Sequence, residues 1–411
     1  MTKIIQINAT ANWGSTGRIA EGCNRLAKAQ GWDTFFVFGR YFKPYNSIRI
    51  TGPSNIIDIL NHFVENILWD NEGLASRIST RQLIKKIKKI NPDIIHLHNI
   101  HDHWLNYRIL FKYLNSTKIK VVWTFHDFWA ITGHCYHFVQ QDCDKYITGC
   151  NKCPYTKHKF LPLIKQEIRN YNLKKELFSN NQRLTIVPVS VWVGDVVRKS
   201  FLKHKDIRVI PNGVDSSIFH PTTTDSTDSK ECKDFILNLD NKFVIMAVSS
   251  QWKGDAKGMS DFLAMSNCLQ SDEVIVLVGV SENISHSFPK NVIGIRRTDN
   301  QRSLAALYTR ADVVCSFSSA ETFGLTIIEA YACGTPVVVY DNTALPSLVT
   351  PETGFVIPNK DFNAAYNAIQ NIRKKGKAHY SDMCIKIARE KYSENKCYEQ
   401  YFKLYNELLD T

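Results

Sequence analysis

Two glutamates frame the most chemically loaded stretch of this sequence. Residues 319–338 read SAETFGLTIIEAYACGTPVV, with seven residues between Glu321 and Glu329. A strand pattern at 312–317 leads in, and a helix pattern starts near Gly324. Amides at a helix start, helped by the helix dipole, can hold a diphosphate. Gly324 lets the backbone approach such an anion closely. A carboxylate is a natural acceptor for paired sugar or ribose hydroxyls. One carboxylate per sugar, with backbone amides between, suits a sugar nucleotide. The plainer alternative is a core helix carrying surface glutamates.

Other residue types point to chemistry of their own. Lys257 lies in SSQWKGDAKG, residues 249–258, just after a strand pattern. A lysine there can neutralise a leaving diphosphate, although a lone lysine is ordinarily only solvated. His126 follows the strand pattern 120–125, where an imidazole can hydrogen-bond a sugar hydroxyl or move a proton. The alternative is a structural histidine. His96, His98, His101 and His103 form the group HLHNIHDH, with His96 and His98 on one strand face. Cys135, Cys143, Cys150 and Cys153 have the spacing Cys-x7-Cys-x6-Cys-x2-Cys, closing in a tight knuckle before Pro154. Four thiolates suit a tetrahedral structural zinc with no open position, so a catalytic zinc is not expected. Unlinked thiols or two disulfides are the alternatives, and a reducing compartment disfavours the disulfides. Residues 81–89, RQLIKKIKK, carry five basic side chains and no acid. Such a helix face is usually just solvated, but it also suits docking to anionic headgroups.

The elements that must position these groups alternate along the chain. Strand patterns at 3–8, 34–39, 93–98 and 120–125 are interleaved with helix patterns at 18–29 and 80–90. Residues 14–17 read as a loop. The same grammar restarts after about residue 205, with strands at 243–249, 273–280, 312–317 and 335–340. Helix patterns fall at 258–269, 303–310 and 324–333, and TTTDSTDSK, 222–230, reads as a surface loop. The strands lack polar alternation, as strands buried on both faces do. The fold class expected is therefore α/β, with two doubly wound parallel sheets covered by helices.

The chain has 411 residues, 44% hydrophobic and 22% charged, which excludes a disordered or collagenous protein. A net charge of +12 and a pI of about 9.1 favour anionic partners without choosing among them. No stretch reaches the length of a membrane span, and the N-terminal apolar run is too short for a signal-peptide core. Export is not expected, and the 11 cysteines are expected as reduced thiols or metal ligands.

Taken together, these segments resemble the retaining family-4, or group 1, glycosyltransferases, and most closely the type that builds bacterial capsule or exopolysaccharide. The resemblance rests on the 14–17 loop with Arg18, residues 93–98, Thr124-Phe125-His126-Asp127 and Val189-Ser190. It also rests on Ile210-Pro211-Asn212-Gly213-Val214-Asp215, Lys257-Gly258 and 321–336. It implies a GT-B architecture, two Rossmann-like domains facing across a cleft. The expected limits are 1–205 for an acceptor-side domain with a cysteine insertion at 135–153, and 206–380 for a sugar-nucleotide domain. Residues 381–411 are expected as helices packing back toward the first domain.

By the same resemblance, Glu329 holds the donor ribose, Glu321 touches the donor sugar, and His126 contacts that sugar or the reaction centre. Gly17, Lys257, Gly324, Leu325 and Thr326 complete the donor-binding set. The family pairs its lysine with an arginine a few residues earlier. Here Ser249, Ser250 and Gln251 stand in that stretch, so Lys253, Arg296 or Arg297 are the candidate replacements. Arg18 faces acceptor or donor phosphate, and His101 or His103 faces the acceptor. Metal binding at His96 and His98 is disfavoured, because that strand end already abuts the family's cleft.

The function expected is transfer of a sugar from a nucleoside-diphosphate sugar to an acceptor hydroxyl, with retained configuration. The acceptor is a glycan or lipid-linked saccharide, as in capsule, exopolysaccharide or O-antigen assembly. No catalytic metal is expected. The setting is cytoplasmic, at the inner face of a membrane. Two rivals are weaker. A sugar-nucleotide epimerase of similar architecture does not account for the paired-glutamate segment. A zinc-knuckle nucleic-acid-binding protein leaves both α/β halves unexplained, so no nucleic-acid partner is expected.

Overall fold

The computed structural model describes residues 1–42, 49–51, 56–101, 104–153, 162–223, 227, 229–249, 252 and 254–411. They form two compact units, Met1–Pro211 with Tyr398–Thr411, and Asn212–Cys397. The first sheet contains β1 (Lys3–Ala11), β2 (Asp33–Phe42), β3 (Arg49–Thr51), β4 (Ile94–Leu97), β5 (Lys120–Phe125), β6 (Leu184–Pro188) and β7 (Asp206–Ile207). Their spatial order is β3-β2-β1-β4-β5-β6-β7, all parallel. The second sheet contains β8 (Phe243–Val248), β9 (Glu273–Val278), β10 (Val292–Ile295), β11 (Val313–Ser316), β12 (Val337–Tyr340) and β13 (Gly354–Ile357). Its order is β10-β9-β8-β11-β12-β13, again all parallel.

Each order reverses once, between β1 and β4 and between β8 and β11. In open α/β sheets such switch points are where ligands bind, in a crevice at the strands' carboxyl ends. Residues of β4, β6, β9 and β12 are buried throughout, which is why their sequences run apolar without alternation.

The structure revises several expectations. Residues 14–17 are not a loop. The chain turns from β1 at Asn12 and Gly14, both at positive φ, straight into a helix spanning Gly14–Ala29. Gly17 therefore sits in that helix's first turn. A Cβ there would lie 2.8 Å from Thr10 Oγ1, so the glycine lets the helix press on the end of β1.

The first unit continues to Pro211, beyond the expected limit at 205, because β7 still pairs with β6. Residues 381–397 count with the second unit and only Tyr398 onward with the first. There Tyr398, Tyr401, Leu404 and Tyr405 join Ile4, Ile19, Ile94 and Val122 in one core cluster. In the 222–230 stretch, Thr227 is buried and its hydroxyl bonds that of Ser303 at 2.7 Å. Ser229 caps a helix beginning at Lys230.

Candidate active site

The carboxyl ends of β8 and β11 carry the residues expected on the donor side. Ser249, directly after β8, is pinned by its amide to Val278 O at 3.1 Å. The loop that follows returns at Ala256, whose carbonyl accepts from Ser319 N at 3.0 Å. That backbone contact brings Lys257 against Glu321, and Lys257 Nζ donates to Glu321 Oε1. Both side chains stay about a quarter to a third exposed, at 31% and 26%. Ser318 donates a second hydrogen bond to the same carboxylate oxygen at 3.0 Å, and Thr343 Oγ1 accepts from the Glu321 amide at 2.9 Å. Lys360 fixes the loop, pairing with Asp255 at 2.6 Å and Asp261 at 3.2 Å. The residue expected at the diphosphate and the one expected at the sugar are thus neighbours.

Gly324 caps the helix Leu325–Ala332 at φ +100°. That left-handed conformation strains any residue with a Cβ, and a Cβ would lie 2.8 Å from Leu345. No side chain caps this helix start. Leu325 and Thr326 stand partly exposed in its first turn, with their amides toward the dipole's positive end. Further along, Glu329 is buried, and its Oε2 accepts from the Tyr308 hydroxyl at 2.9 Å. Burial raises the Tyr308 hydroxyl's pKa, and the neighbouring carboxylate adds to the rise, so tyrosine stays the donor. Arg296 and Arg297 follow β10, the sheet's edge strand, with β9 between it and β8. Lys253, Ser250 and Gln251 lie outside the described residues.

His126 stands directly after β5, in the first unit. It belongs to a chain of buried polar groups. Gln6 Nε2 donates to the Tyr405 hydroxyl at 3.4 Å, which leaves Gln6 Oε1 to accept from His98 Nε2 at 3.1 Å. His98 Nδ1 lies 3.1 Å from His126 Nε2. Burial pushes the pKa of His98 well down and that of His126 down to about 4, so both rings are neutral. A neutral His98 that donates from Nε2 must accept at Nδ1. His126 therefore carries its proton on Nε2 and presents Nδ1 as an acceptor.

His96 lies against His98, the ring centroids 4.1 Å apart and tilted by 37°, with Nδ1 2.6 Å from the Tyr405 hydroxyl and Nε2 2.8 Å from Thr124 Oγ1. Both its nitrogens are engaged by hydroxyls, the pattern of a packed structural histidine. His126 lines a small cavity with Asn99, His101 and Asp127. Asp127 pairs with His101 Nε2 at 2.8 Å and accepts from Trp129 N at 2.9 Å. Burial alone would raise the Asp127 carboxyl, but His101 and that amide hold it below its ordinary value. Arg18 is partly exposed one residue beyond Gly17, and His103 lies outside the described residues.

A histidine lies among the four cysteines of the expected cluster. None of the four is in a disulfide, and His134, the residue before Cys135, stands with them: His134, Cys135 and Cys153 bring one ligand atom each within 4.8 Å of one another. Cys143 and Cys150 line the same cavity. Sequence reasoning also missed Tyr308, Ser318, Thr343 and Gln6. Their partners are distant in sequence, so no spacing signal announces them. For His134 the signal was adjacency to a cysteine.

No helix among the described residues is long and apolar enough to cross a membrane. Residues 18–218 match the model of Glycosyltransferase Family 4, and residues 242–375 match that of Glycosyl transferases group 1. A protein of Escherichia coli (strain K12), named as the colanic acid biosynthesis glycosyl transferase WcaC, is 22% identical over 87% of this chain and 88% of its own. Among solved structures, sucrose-phosphate synthase of Thermosynechococcus elongatus superposes with a TM-score of 0.71 at 17% identity, covering 100% of both chains. HepE of Anabaena, solved in complex with UDP-glucose, gives 0.64 at 14% identity over 99% of this chain and 100% of its own. Family matches across both units, joined to two Rossmann-like sheets of the GT-B kind, place this chain among the group 1 glycosyltransferases.

Proposed function

We propose that this protein is a retaining hexosyltransferase. It moves a sugar from a nucleoside-diphosphate sugar to a hydroxyl of a glycan or lipid-linked saccharide, in assembly of a capsule, exopolysaccharide or O-antigen. The observation that carries the reading is the convergence of Lys257, Glu321 and the uncapped start of helix Leu325–Ala332 at one sheet's switch point. The named activity of WcaC and the UDP-glucose bound to HepE support it.

In this reading Glu329 accepts hydrogen bonds from the ribose diol, and the amides of Leu325 and Thr326 with Lys257 hold the diphosphate. Glu321 accepts from a donor-sugar hydroxyl. His126, through Nδ1, accepts from a sugar hydroxyl at the reaction centre. The bond from the anomeric carbon to the diphosphate oxygen breaks while the acceptor oxygen bonds the same face of that carbon. The leaving diphosphate takes the acceptor's proton. Amides and Lys257 serve as the leaving-group stabilisers, and no catalytic metal is invoked. The five basic side chains of residues 81–89 are all exposed, and we assign peripheral contact with an anionic membrane surface to them.

A thermal-shift screen against sugar nucleotides and free nucleoside diphosphates tests the reading, since a ligand of the folded state raises its apparent stability. One nucleoside diphosphate and its sugar conjugate should stabilise the protein. Product analysis with an acceptor should then show a retained anomeric linkage. Epimerised sugar nucleotide formed without acceptor, or stabilisation by nucleic acid alone, overturns it.

A further inference from the structure

The segment between β5 and β6 holds a cluster that sugar transfer does not use. His134 Nε2 lies 3.5 Å from Cys153 Sγ. Tetrahedral zinc, with Zn–S of about 2.3 Å and Zn–N of about 2.0–2.1 Å, sets its nitrogen and sulfur ligands about 3.5 Å apart. Cys135 completes a triangle, with one ligand atom each of His134, Cys135 and Cys153 within 4.8 Å of one another. The other ring nitrogen, His134 Nδ1, lies 3.2 Å from Asp70 Oδ2, and Asp70 is buried. A carboxylate on the second nitrogen is what orients a metal-ligating histidine and sharpens its basicity. Asp70 is itself held, accepting from Gln166 N at 3.0 Å.

A fourth ligand is at hand. Cys150 Sγ accepts from Gly133 N at 3.2 Å, and Gly133 directly precedes His134. Cys150 also forms the Cys-x2-Cys knuckle with Cys153. Cys143 and Cys150 both line the cavity outside the three clustered atoms, and it is the bond to Gly133 and the knuckle that favour Cys150.

We propose that His134, Cys135, Cys150 and Cys153 bind one structural zinc, with Asp70 holding His134. The site is independent of the transfer reading. It ties the segment before β6 to the chain just after the helix Ile56–Trp69, which ends at the residue before Asp70. It also lies close in sequence to the backbone that carries Asp127 and Trp129. Lys174 clamps that backbone, donating to Trp129 O at 2.7 Å and Thr132 O at 3.2 Å. Three thiolates and one histidine close the coordination shell, so the role is folding and not catalysis.

Full-length protein purified without added metal should carry near-stoichiometric zinc by elemental analysis. His134→Ala and Cys150→Ser should lose most of it, and Cys143→Ser should keep it. Asp70→Asn should weaken zinc about 10- to 100-fold in chelator competition. Cobalt exchanged into the wild-type protein should give a tetrahedral spectrum with thiolate charge-transfer intensity for three sulfurs, a readout that survives if a variant fails to fold. Wild-type protein without metal overturns the proposal. So does a four-sulfur cobalt spectrum, or zinc kept by His134→Ala and lost by Cys143→Ser.

Discussion

Replacing Glu329 by alanine should have two separable effects, one on the ligand and one on the fold. Glu329 is buried and accepts from the Tyr308 hydroxyl at 2.9 Å. Alanine therefore leaves a buried hydroxyl without this partner, which costs about 1–3 kcal/mol. For a unit of this size that lowers the melting temperature by about 2–4 °C per kcal/mol. The ribose contact is a second loss. One hydrogen bond to a carboxylate is worth about 1.5–3 kcal/mol, or about 10- to 150-fold in nucleotide Kd. The double variant Glu329→Ala/Tyr308→Phe removes the orphaned hydroxyl and should recover most of the melting temperature. Its affinity should stay low. Calorimetric titration with nucleoside diphosphate and thermal melts on wild type, both single variants and the double variant separate the two effects. Affinity that returns with stability in the double variant would make Glu329 a purely structural residue. Undiminished affinity in Glu329→Ala alone would refute the ribose role as directly.

His126→Ala should lower sugar transfer about 10- to 100-fold, the worth of one or two hydrogen bonds at the reaction centre, with nucleoside diphosphate binding unchanged. Near-normal turnover in folded variant would remove His126 from the site. Acid should destabilise the first unit through its neutral histidines. His126 titrates near 4 when folded and near 6.5 when unfolded, so its share of stability is complete above 6.5 and lost as pH falls toward 4. That share is roughly 2–3 kcal/mol after allowing for its partly exposed edge, and His96 and His98 act in the same direction. Denaturant melts across this window should therefore show a shallower pH dependence for His126→Gln, and identical slopes would contradict the buried neutral ring.

Local pattern settled the class of fold. Apolar runs too continuous for one-sided strands could only be buried parallel strands, and their regular interleaving with helices gave two doubly wound halves. It also singled out Glu321, Gly324 and Glu329 as candidates, because a strand, a turn and a helix start fix their spacing within one short segment. Tertiary structure decided the rest, for a common reason: the deciding partners are far apart in the chain. Lys257 meets Glu321 because the Ala256 carbonyl and the Ser319 amide bond across two strand ends. Tyr308 holds Glu329 from a neighbouring helix. The proton position on His126 depends on Gln6, at the start of the chain, and on Tyr405, near its end. The cysteine spacing announced a metal-type cluster, but spacing weighs only like residues. Only the fold brought His134 onto Cys153 and set Asp70 behind it, because a ligand's second partner is chosen by where the backbone returns and not by what lies beside it in sequence.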